Sequence, residues 1–273
     1  MTTDNDDNST SQENEKTLDF FGHLGELRRR LIKCVVCITA MTIACWNLAD
    51  SILTIIIAPV LKLLPPNYTL VYTGLTDAFS VTFKISLWAG VVLSSPFCLY
   101  QLWAFVSPGL YRNEKAKVPF LTFFATLLFL IGTAFAYFIA FPLTFKFFLA
   151  FSSEAMQPLL TVDRYMSLVM GLIIGFAIAF QMPLVLMFLG DIGVITPQYL
   201  KKQRSYAIII IFIVAAIATP PDVISQVLMA FSLMFLYELS IFMVKRQVRK
   251  NSLKEDDQKR ADSPEEGSER SAI

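Results

Sequence analysis

Long apolar windows with very few charged residues recur along this 273-residue chain. A helix needs about 20 apolar residues to cross the hydrocarbon core of a bilayer, so each window is a candidate membrane span. Six windows stand out, and the fifth is shorter than the others. Their bounds are about 31–48, 79–106, 118–141, 164–190, 205–219 and 222–244. The pattern predicts an all-α integral membrane protein, with a membrane domain of six transmembrane helices over residues 18–245.

The segments outside these windows differ in character. Residues 49–78 form the longest connection and contain a short apolar stretch, 51–60, that includes Pro59. Such a stretch covers only about 15 Å as a helix, too little to cross the bilayer. It is therefore expected to form a helix that lies on the outer surface. Residues 1–17 are acidic and residues 246–273 are charged and rich in serine, and both are predicted to be disordered tails.

Composition supports the membrane interpretation. Hydrophobic residues make up 55% of the chain and charged residues only 16%, with a mean hydropathy of +0.57. Soluble domains carry about 25% charged residues, so one soluble domain of this composition is not expected. The formal net charge is +1, which gives no overall basic field and indicates no nucleic-acid partner.

The distribution of basic residues predicts the orientation. An even number of spans places both termini on one side, together with the loops near 107–117 and 191–204. Lysine and arginine concentrate in these flanks, whereas Lys62, Lys146 and Arg164 lie on the other side. Because basic flanks stay in the cytoplasm, both termini are predicted to be cytoplasmic.

Residues that would carry catalysis or hold a metal are scarce. The sequence has no phosphate-binding G-x-x-x-x-G-K-[ST] motif and a single histidine, His23. No nucleophilic triad is visible. The four cysteines lie inside apolar runs, where free cysteine acts as a small packing residue. The sequence therefore predicts a protein that is not an enzyme and has no metal, cofactor or disulfide.

An amphipathic stretch precedes the first span. Phe20, Leu24, Leu27 and Leu31 recur at helical spacing and form an apolar stripe. Glu26 lies on the polar face of this helix, which is expected to rest on the inner membrane surface. The alternative role for Glu26 is a local i,i+4 ion pair with Arg30.

Glu114 is the acidic residue of the basic inner loop 107–117. One interpretation is local neutralisation by Arg112 or Lys115. The other is that Glu26 and Glu114, two acids near membrane depth on a basic surface, together receive a cationic ligand.

A third group of candidate functional residues surrounds the double proline at 220–221, which ends the fifth span. Asp222 follows at the start of the sixth span, where it either caps the helix or has a further role. Fifteen residues of helix cover about 22 Å against a hydrocarbon core of about 30 Å. This mismatch must thin the bilayer or be covered by a partner.

Gln181 and Gln226 are polar residues inside spans, and such groups face protein or water rather than lipid.

Taken in order, these stretches resemble the TatC family, the multispan core subunits of the twin-arginine protein translocase. The matching stretches are His23-Leu24-x-Glu26-Leu27-Arg28-x-Arg30-Leu31, Ala58-Pro59, Tyr100-Gln101-x-Trp103-Ala104-Phe105, Pro108-x-Leu110-Tyr111-x-x-Glu114, Gly132-x-Ala134-Phe135-Ala136-Tyr137-Phe138 and Thr219-Pro220-Pro221-Asp222-Val223-x-Ser225-Gln226. They cover roughly residues 20–245. Each is weak alone, but together and at matching spacing they are specific.

The resemblance implies a receptor that binds twin-arginine signal peptides and exports folded proteins with the proton-motive force. It implies a concave, glove-like arrangement of six helices in the bacterial cytoplasmic membrane. The implied partners are single-span TatA- and TatB-type subunits, the signal peptides of folded precursors, the lipid bilayer and further copies of the chain in a receptor complex.

The resemblance also assigns residues. The family's signal-peptide patch carries over onto Glu26, Arg28, Phe105 and Glu114, and its partner-subunit contact onto Thr219 and Gln226. Structural or intramembrane polar roles fall to Pro59, Gln181 and Asp222. One position departs from the family, because many relatives carry a glutamate where this chain has Gln181. A neutral amide can form hydrogen bonds but supplies no charge.

Two other function classes are alternatives to this one. A secondary transporter or channel for a small solute needs convergent polar groups at the bilayer midplane, for which Gln181 and Gln226 are thin support. An intramembrane enzyme is disfavoured because no catalytic set is visible.

Overall fold

The computed structural model describes residues 6–62, 70–106, 118–150, 161–219 and 222–261, with the backbone alone for residues 6–21, 247 and 249–261. In these ranges the protein is all-α apart from one isolated parallel bridge between Val71 and Thr161. The α-helices are α1 (Asp6–Trp46), α2 (Ala49–Leu61), α3 (Asp77–Val106), α4 (Val118–Phe135), α5 (Phe141–Ala150), α6 (Val162–Ala179), α7 (Met182–Asp191), α8 (Pro197–Lys202), α9 (Arg204–Ala218) and α10 (Val223–Ala261). A π-helix (Ala136–Ala140) joins α4 to α5.

Four of these helical segments are long and apolar enough to cross a membrane. They are Asp77–Val106, Val118–Ala150, Val162–Asp191 and Val223–Arg246. The pair Gly22–Trp46 and Ala49–Leu61, bent by 85°, makes a fifth if it counts as one span. Within the described residues the chain is therefore an all-helical, multispan membrane protein with four to five candidate spans. The expected six spans add α9, whose 15 residues fall below this length.

The helix bounds refine the windows read from the sequence. The third apolar segment continues to Ala150 rather than ending near 141, because the π-helix keeps the backbone helical through Pro142. Helix also reaches into both stretches that the sequence analysis assigned to disordered tails, since α1 begins at Asp6 and α10 ends at Ala261. These stretches contain glutamate, glutamine and lysine, which continue a helix readily.

The helices fall into two compact units, residues 1–127 with 154–167 and residues 128–153 with 168–273. In the first unit α1 packs along α3. A Cβ atom on Gly90 would lie 2.5 Å from the Thr42 hydroxyl and 2.8 Å from its amide nitrogen, so this close approach requires glycine. The Tyr165 hydroxyl donates to the Ile56 carbonyl at 2.7 Å and ties α6 to α2 one turn before Pro59.

The second unit is organised around α10, which packs against α7 and α9. Gly175 provides close contact with α9, since a Cβ atom there would lie 3.1 Å from the Ala218 carbonyl. The π-helix lies just before Pro142, whose missing N–H removes an α-helical hydrogen bond, and π-turns often occur where such a bond is lost. Pro183 lies in the first turn of α7, just after the break that separates the end of α6 at Ala179 from the start of α7 at Met182.

Candidate functional site

Glu26 lies on α1 and is held by an arginine one turn later. Both Nε and Nη2 of Arg30 donate to Glu26 Oε1, at 2.9 and 2.5 Å. The remaining terminal nitrogen, Nη1, donates to Gln101 Oε1 on α3 at 3.1 Å. The i,i+4 pair that the sequence offered as an alternative role for Glu26 is therefore present. Gln101 joins it from 71 positions away, which spacing could not indicate.

An aromatic pair also joins α1 and α3, close to these hydrogen bonds in the sequence of both helices. The rings of His23 and Phe105 lie 4.3 Å apart with an interplanar angle of 17°. Phe105 is half-buried near the end of α3, while Arg28 is exposed. We call Glu26, Arg30, Gln101, His23 and Phe105 the α1–α3 cluster. Of its members, Glu26 and Phe105 are predicted site residues and Arg30 is predicted only as a local partner of Glu26, whereas no binding role is predicted for His23 or Gln101.

Glu114 lies outside the described residues, as does the whole loop 107–117. Its expected proximity to Glu26 therefore stays a prediction. The described part of the patch presents one carboxylate on a partly exposed surface, with 35% of the Glu26 side chain and 22% of the Arg30 side chain accessible. Both Arg30 donors go to one oxygen, Oε1, whereas a carboxylate can accept the parallel donors of a guanidinium on its two oxygens.

The second predicted group lies where α9 ends and α10 begins. Thr219 is buried, and its hydroxyl donates to the Ala215 carbonyl of its own helix at 2.8 Å. Asp222 Oδ1 accepts the Ser225 amide at 2.6 Å, which is the helix-capping role that the sequence offered. Gln226 reaches toward the Phe212 carbonyl of α9, but its Nε2 lies 3.5 Å away, a weak contact.

Polar groups behind this turn are buried in the second unit. Asp222 is 9% exposed, and its second oxygen, Oδ2, is buried with no hydrogen-bond partner among the described residues. The Ser225 hydroxyl pairs with that of Thr144 on α5 at 2.8 Å, and both side chains are buried. No local pattern in the sequence indicates a role for Thr144, which comes 81 positions before its partner.

Gln181 occupies the break between α6 and α7. It is half-buried, and its backbone carbonyl accepts the amides of Leu184 and Val185, each at 3.1 Å. These contacts are made by the backbone at the start of α7, and they do not require a charged side chain at this position.

An ion pair in the first unit was missed entirely. The Lys84 ammonium donates to Asp163 Oδ1 at 2.6 Å and to the Ser167 hydroxyl at 3.1 Å. Lys84 is not among the bases predicted to lie opposite the termini. Its ion pair with Asp163 links α3 to α6.

Metal binding has no support in the described residues, where no group of three potential ligands occurs. The four cysteines are free thiols.

Comparison with known proteins gives one consistent result. The family model described as Sec-independent protein translocase protein (TatC) matches residues 22–231. A protein of that name from Desulforapulum autotrophicum is 40% identical over 231 residues, covering 85% of each chain. The protein of that name from Escherichia coli K12 is 35% identical over 242 residues, covering 89% of this chain and 94% of the relative.

A solved structure agrees with the sequence comparisons. The crystal structure titled Twin Arginine Translocase Receptor TatC superposes with a TM-score of 0.74 at 42% identity. The match covers 83% of this chain and 99% of the solved one. A second crystal structure of that receptor, in the detergent DDM, gives a TM-score of 0.73.

Proposed function

Because the chain belongs to the TatC family, we propose that it is the core receptor subunit of a twin-arginine translocase. In this role it binds the twin-arginine signal peptides of folded precursors at the cytoplasmic face. With single-span TatA- and TatB-type partners it exports those precursors, using the proton-motive force. Proteins of this family are components of a transport system and not enzymes.

The α1–α3 cluster is the observation that best supports signal-peptide binding. Glu26 binds a guanidinium through two N–H donors, while Phe105 and His23 provide an apolar, stacked surface beside it. Arginine differs from lysine in its planar fork of donors, which suits a carboxylate. We therefore assign Glu26 and Phe105, with Arg28 and Glu114, to the surface that receives the arginine pair.

The turn between α9 and α10 supports a second contact, with partner helices. Helix α9 has only 15 residues, or about 22 Å, so it is shorter than the hydrocarbon core. An apolar helix that is too short leaves polar groups such as Gln226 at membrane depth, where a partner helix can supply hydrogen bonds. We assign Thr219 and Gln226 to that contact, and place Asp222 behind them as the cap that fixes the turn.

The proposed topology has six spans with both termini in the cytoplasm. It counts α1 and α9 as spans, places α2 with Pro59 on the outer surface and follows the concentration of basic residues near the termini. The protein is accordingly proposed to reside in the bacterial cytoplasmic membrane. There it adopts the glove-like arrangement of its family and associates with further copies in a receptor complex.

Complementation tests this function directly. The full chain is expressed in a bacterial strain that lacks its own TatC, with a folded fluorescent reporter that carries a twin-arginine signal. Restored export is expected, together with loss of export when the two arginines of the signal are replaced by lysines. Export that is equal for both signals, or absent although the protein is inserted, contradicts the proposal.

A further inference from the structure

Two free cysteines face each other across the contact between α1 and α3. Cys34 lies on α1 and Cys98 on α3, and their side chains are hydrogen-bonding partners. The Cys98 thiol also donates to the Ser94 hydroxyl of its own helix, at 3.9 Å. Both cysteines are half-buried, whereas Cys45 is buried. Because oxidation of a thiol depends on its exposure, the facing pair is more open to oxidants than Cys45.

Contacts on either side of the two thiols fix the register of the helices. The Arg30 guanidinium donates to Gln101 at 3.1 Å, and Gly90 lies directly against Thr42. These contacts show that α1 and α3 run antiparallel. The first thiol comes one turn after Arg30 on α1, and the second comes one turn before Gln101 on α3. The two steps lead to the same level of the helix contact, so the pairing of the thiols follows from the packing.

The backbones of α1 and α3 come close together in this region. A Cβ atom on Gly90 would lie 2.8 Å from the Thr42 nitrogen and 3.0 Å from its Cα atom. Ser94, which lies between Gly90 and Cys98 on α3, is small and buried, which favours close packing toward the thiols. A disulfide needs such an approach, because it joins Cα atoms that are about 4.4–6.8 Å apart.

We propose that Cys34 and Cys98 form a reversible dithiol site, which hydrogen peroxide closes into a disulfide between α1 and α3. Peroxide is small and neutral, which suits thiols that are half-buried between apolar helices. The sulfur of one thiol attacks the O–O bond of the peroxide, which gives a sulfenic acid and one water. The second sulfur then attacks the sulfenic sulfur, the S–S bond forms, and the hydroxyl group leaves with the thiol proton as a second water. Together the two sulfurs lose two electrons, which reduce the peroxide.

The disulfide would fix the distance between the two helices that carry the α1–α3 cluster. It would also join residues that are far apart in the sequence, which restricts the unfolded chain and stabilises the folded one. The proposal needs only the two thiols and the contact between the helices, so it does not depend on the proposed function.

Oxidation followed by peptide mapping tests the site. The full-length protein in lipid nanodiscs is treated with hydrogen peroxide, the remaining thiols are alkylated with N-ethylmaleimide, and the protein is digested without reduction. Mass spectrometry should find a linked peptide that joins Cys34 to Cys98 as the main cross-linked product. Reduction with a phosphine after the peroxide treatment should restore the alkylation of both cysteines.

Two serine variants provide the controls. Cys98→Ser removes the second thiol, so Cys34 should stop at the sulfenic acid and react with a dimedone probe. Cys37→Ser is the matched control, because Cys37 is also half-buried on α1 but lies almost one turn beyond Cys34, and the linked peptide should form unchanged. Peroxide should raise the Tm in detergent by several degrees in the unaltered protein and in Cys37→Ser, but not in Cys98→Ser.

Three results overturn the proposal. The first is oxidation of Cys34 or Cys98 to a sulfinic acid without any linked peptide. The second is a bond from Cys34 to Cys37 or to another copy of the chain in place of Cys98. The third is unchanged alkylation of both thiols after peroxide treatment. None of these results bears on export, so complementation would still decide the proposed function.

Discussion

Replacing Glu26 with glutamine removes the charge of the carboxylate that we propose receives the signal peptide and keeps its shape. In the resting protein this carboxylate is occupied, because Arg30 donates two N–H groups to Oε1. A signal-peptide arginine must therefore compete with Arg30 for Glu26 or bind the second oxygen. Arg30 can still donate its hydrogen bond to Gln101 when Glu26 is replaced, so the variant is expected to fold.

The expected loss of precursor affinity follows from the difference between the free energies of two contacts of Glu26. A hydrogen bond to a charged group contributes about 1.5–3 kcal/mol. The Glu26–Arg30 pair that gives way is partly exposed, and such pairs contribute about 0–1 kcal/mol. The net contribution of Glu26 to signal-peptide binding is therefore about 0.5–3 kcal/mol. Glu26→Gln should weaken binding by about 2-fold to 150-fold.

The assay is site-specific photocrosslinking of a twin-arginine precursor to membranes that contain the variant, titrated to give an apparent Kd. Glu238→Gln is the matched control, since it removes another carboxylate from a single ion pair with arginine at similar length. Partner association, measured by co-purification, should be normal in both. Equal precursor affinity in Glu26→Gln, Glu238→Gln and the unaltered protein would refute the assignment of Glu26.

Arg30 provides a second test of the same reasoning. If it competes for Glu26, Arg30→Gln should tighten precursor binding by at most about fivefold, the equivalent of the pair it removes. Weaker binding in this variant would show that Arg30 helps to form the receptor surface and is not a competitor.

Four further predictions concern topology, partner contact, the helix break and packing. Cysteines placed in 49–78 should react with an impermeant reagent in intact cells and those in 107–117 should not; labelling of the latter contradicts the topology. Gln226→Leu should weaken crosslinking to single-span partners by about 0.6–2 kcal/mol, and unchanged crosslinking counts against that contact. Gln181→Ala should leave export nearly normal, measured at equal protein level, because no charge is lost; a complete block would show a larger role. Gly90→Val should lower thermal stability in detergent by about 1–3 kcal/mol through overpacking, whereas an unchanged Tm contradicts the close α1–α3 contact.

Local patterns predicted much of the helical framework. The apolar window at 205–219 corresponds to α9 at Arg204–Ala218, and the window at 79–106 to α3 at Asp77–Val106. Hydrophobic length is a property of consecutive residues, so it can be read without the fold. The short apolar stretch with Pro59 likewise became a short helix, α2.

Contacts between distant residues could not be read in this way. Lys84 and Asp163 lie 79 positions apart, and neither has a local feature that indicates the other as its partner. The π-helix at Ala136–Ala140 also has no local signal beyond Pro142, since its small and aromatic residues suit an ordinary α-helix equally well. Which carbonyl loses its donor, and how the helix widens around it, depends on packing in the second unit.

The polar sites fall between these two cases. From the sequence, local pairing and ligand binding are alternatives for Glu26, and local capping and a further role are alternatives for Asp222. The structure contains both local contacts, yet neither uses the whole side chain: Arg30 takes one oxygen of Glu26, and Ser225 takes one oxygen of Asp222. A carboxylate with an oxygen to spare can keep its local partner, or exchange it, when a second donor arrives. Under the proposed function the local contact is the resting state of the site, and the affinity of the Arg30→Gln variant for the precursor measures how much of the binding free energy that contact offsets.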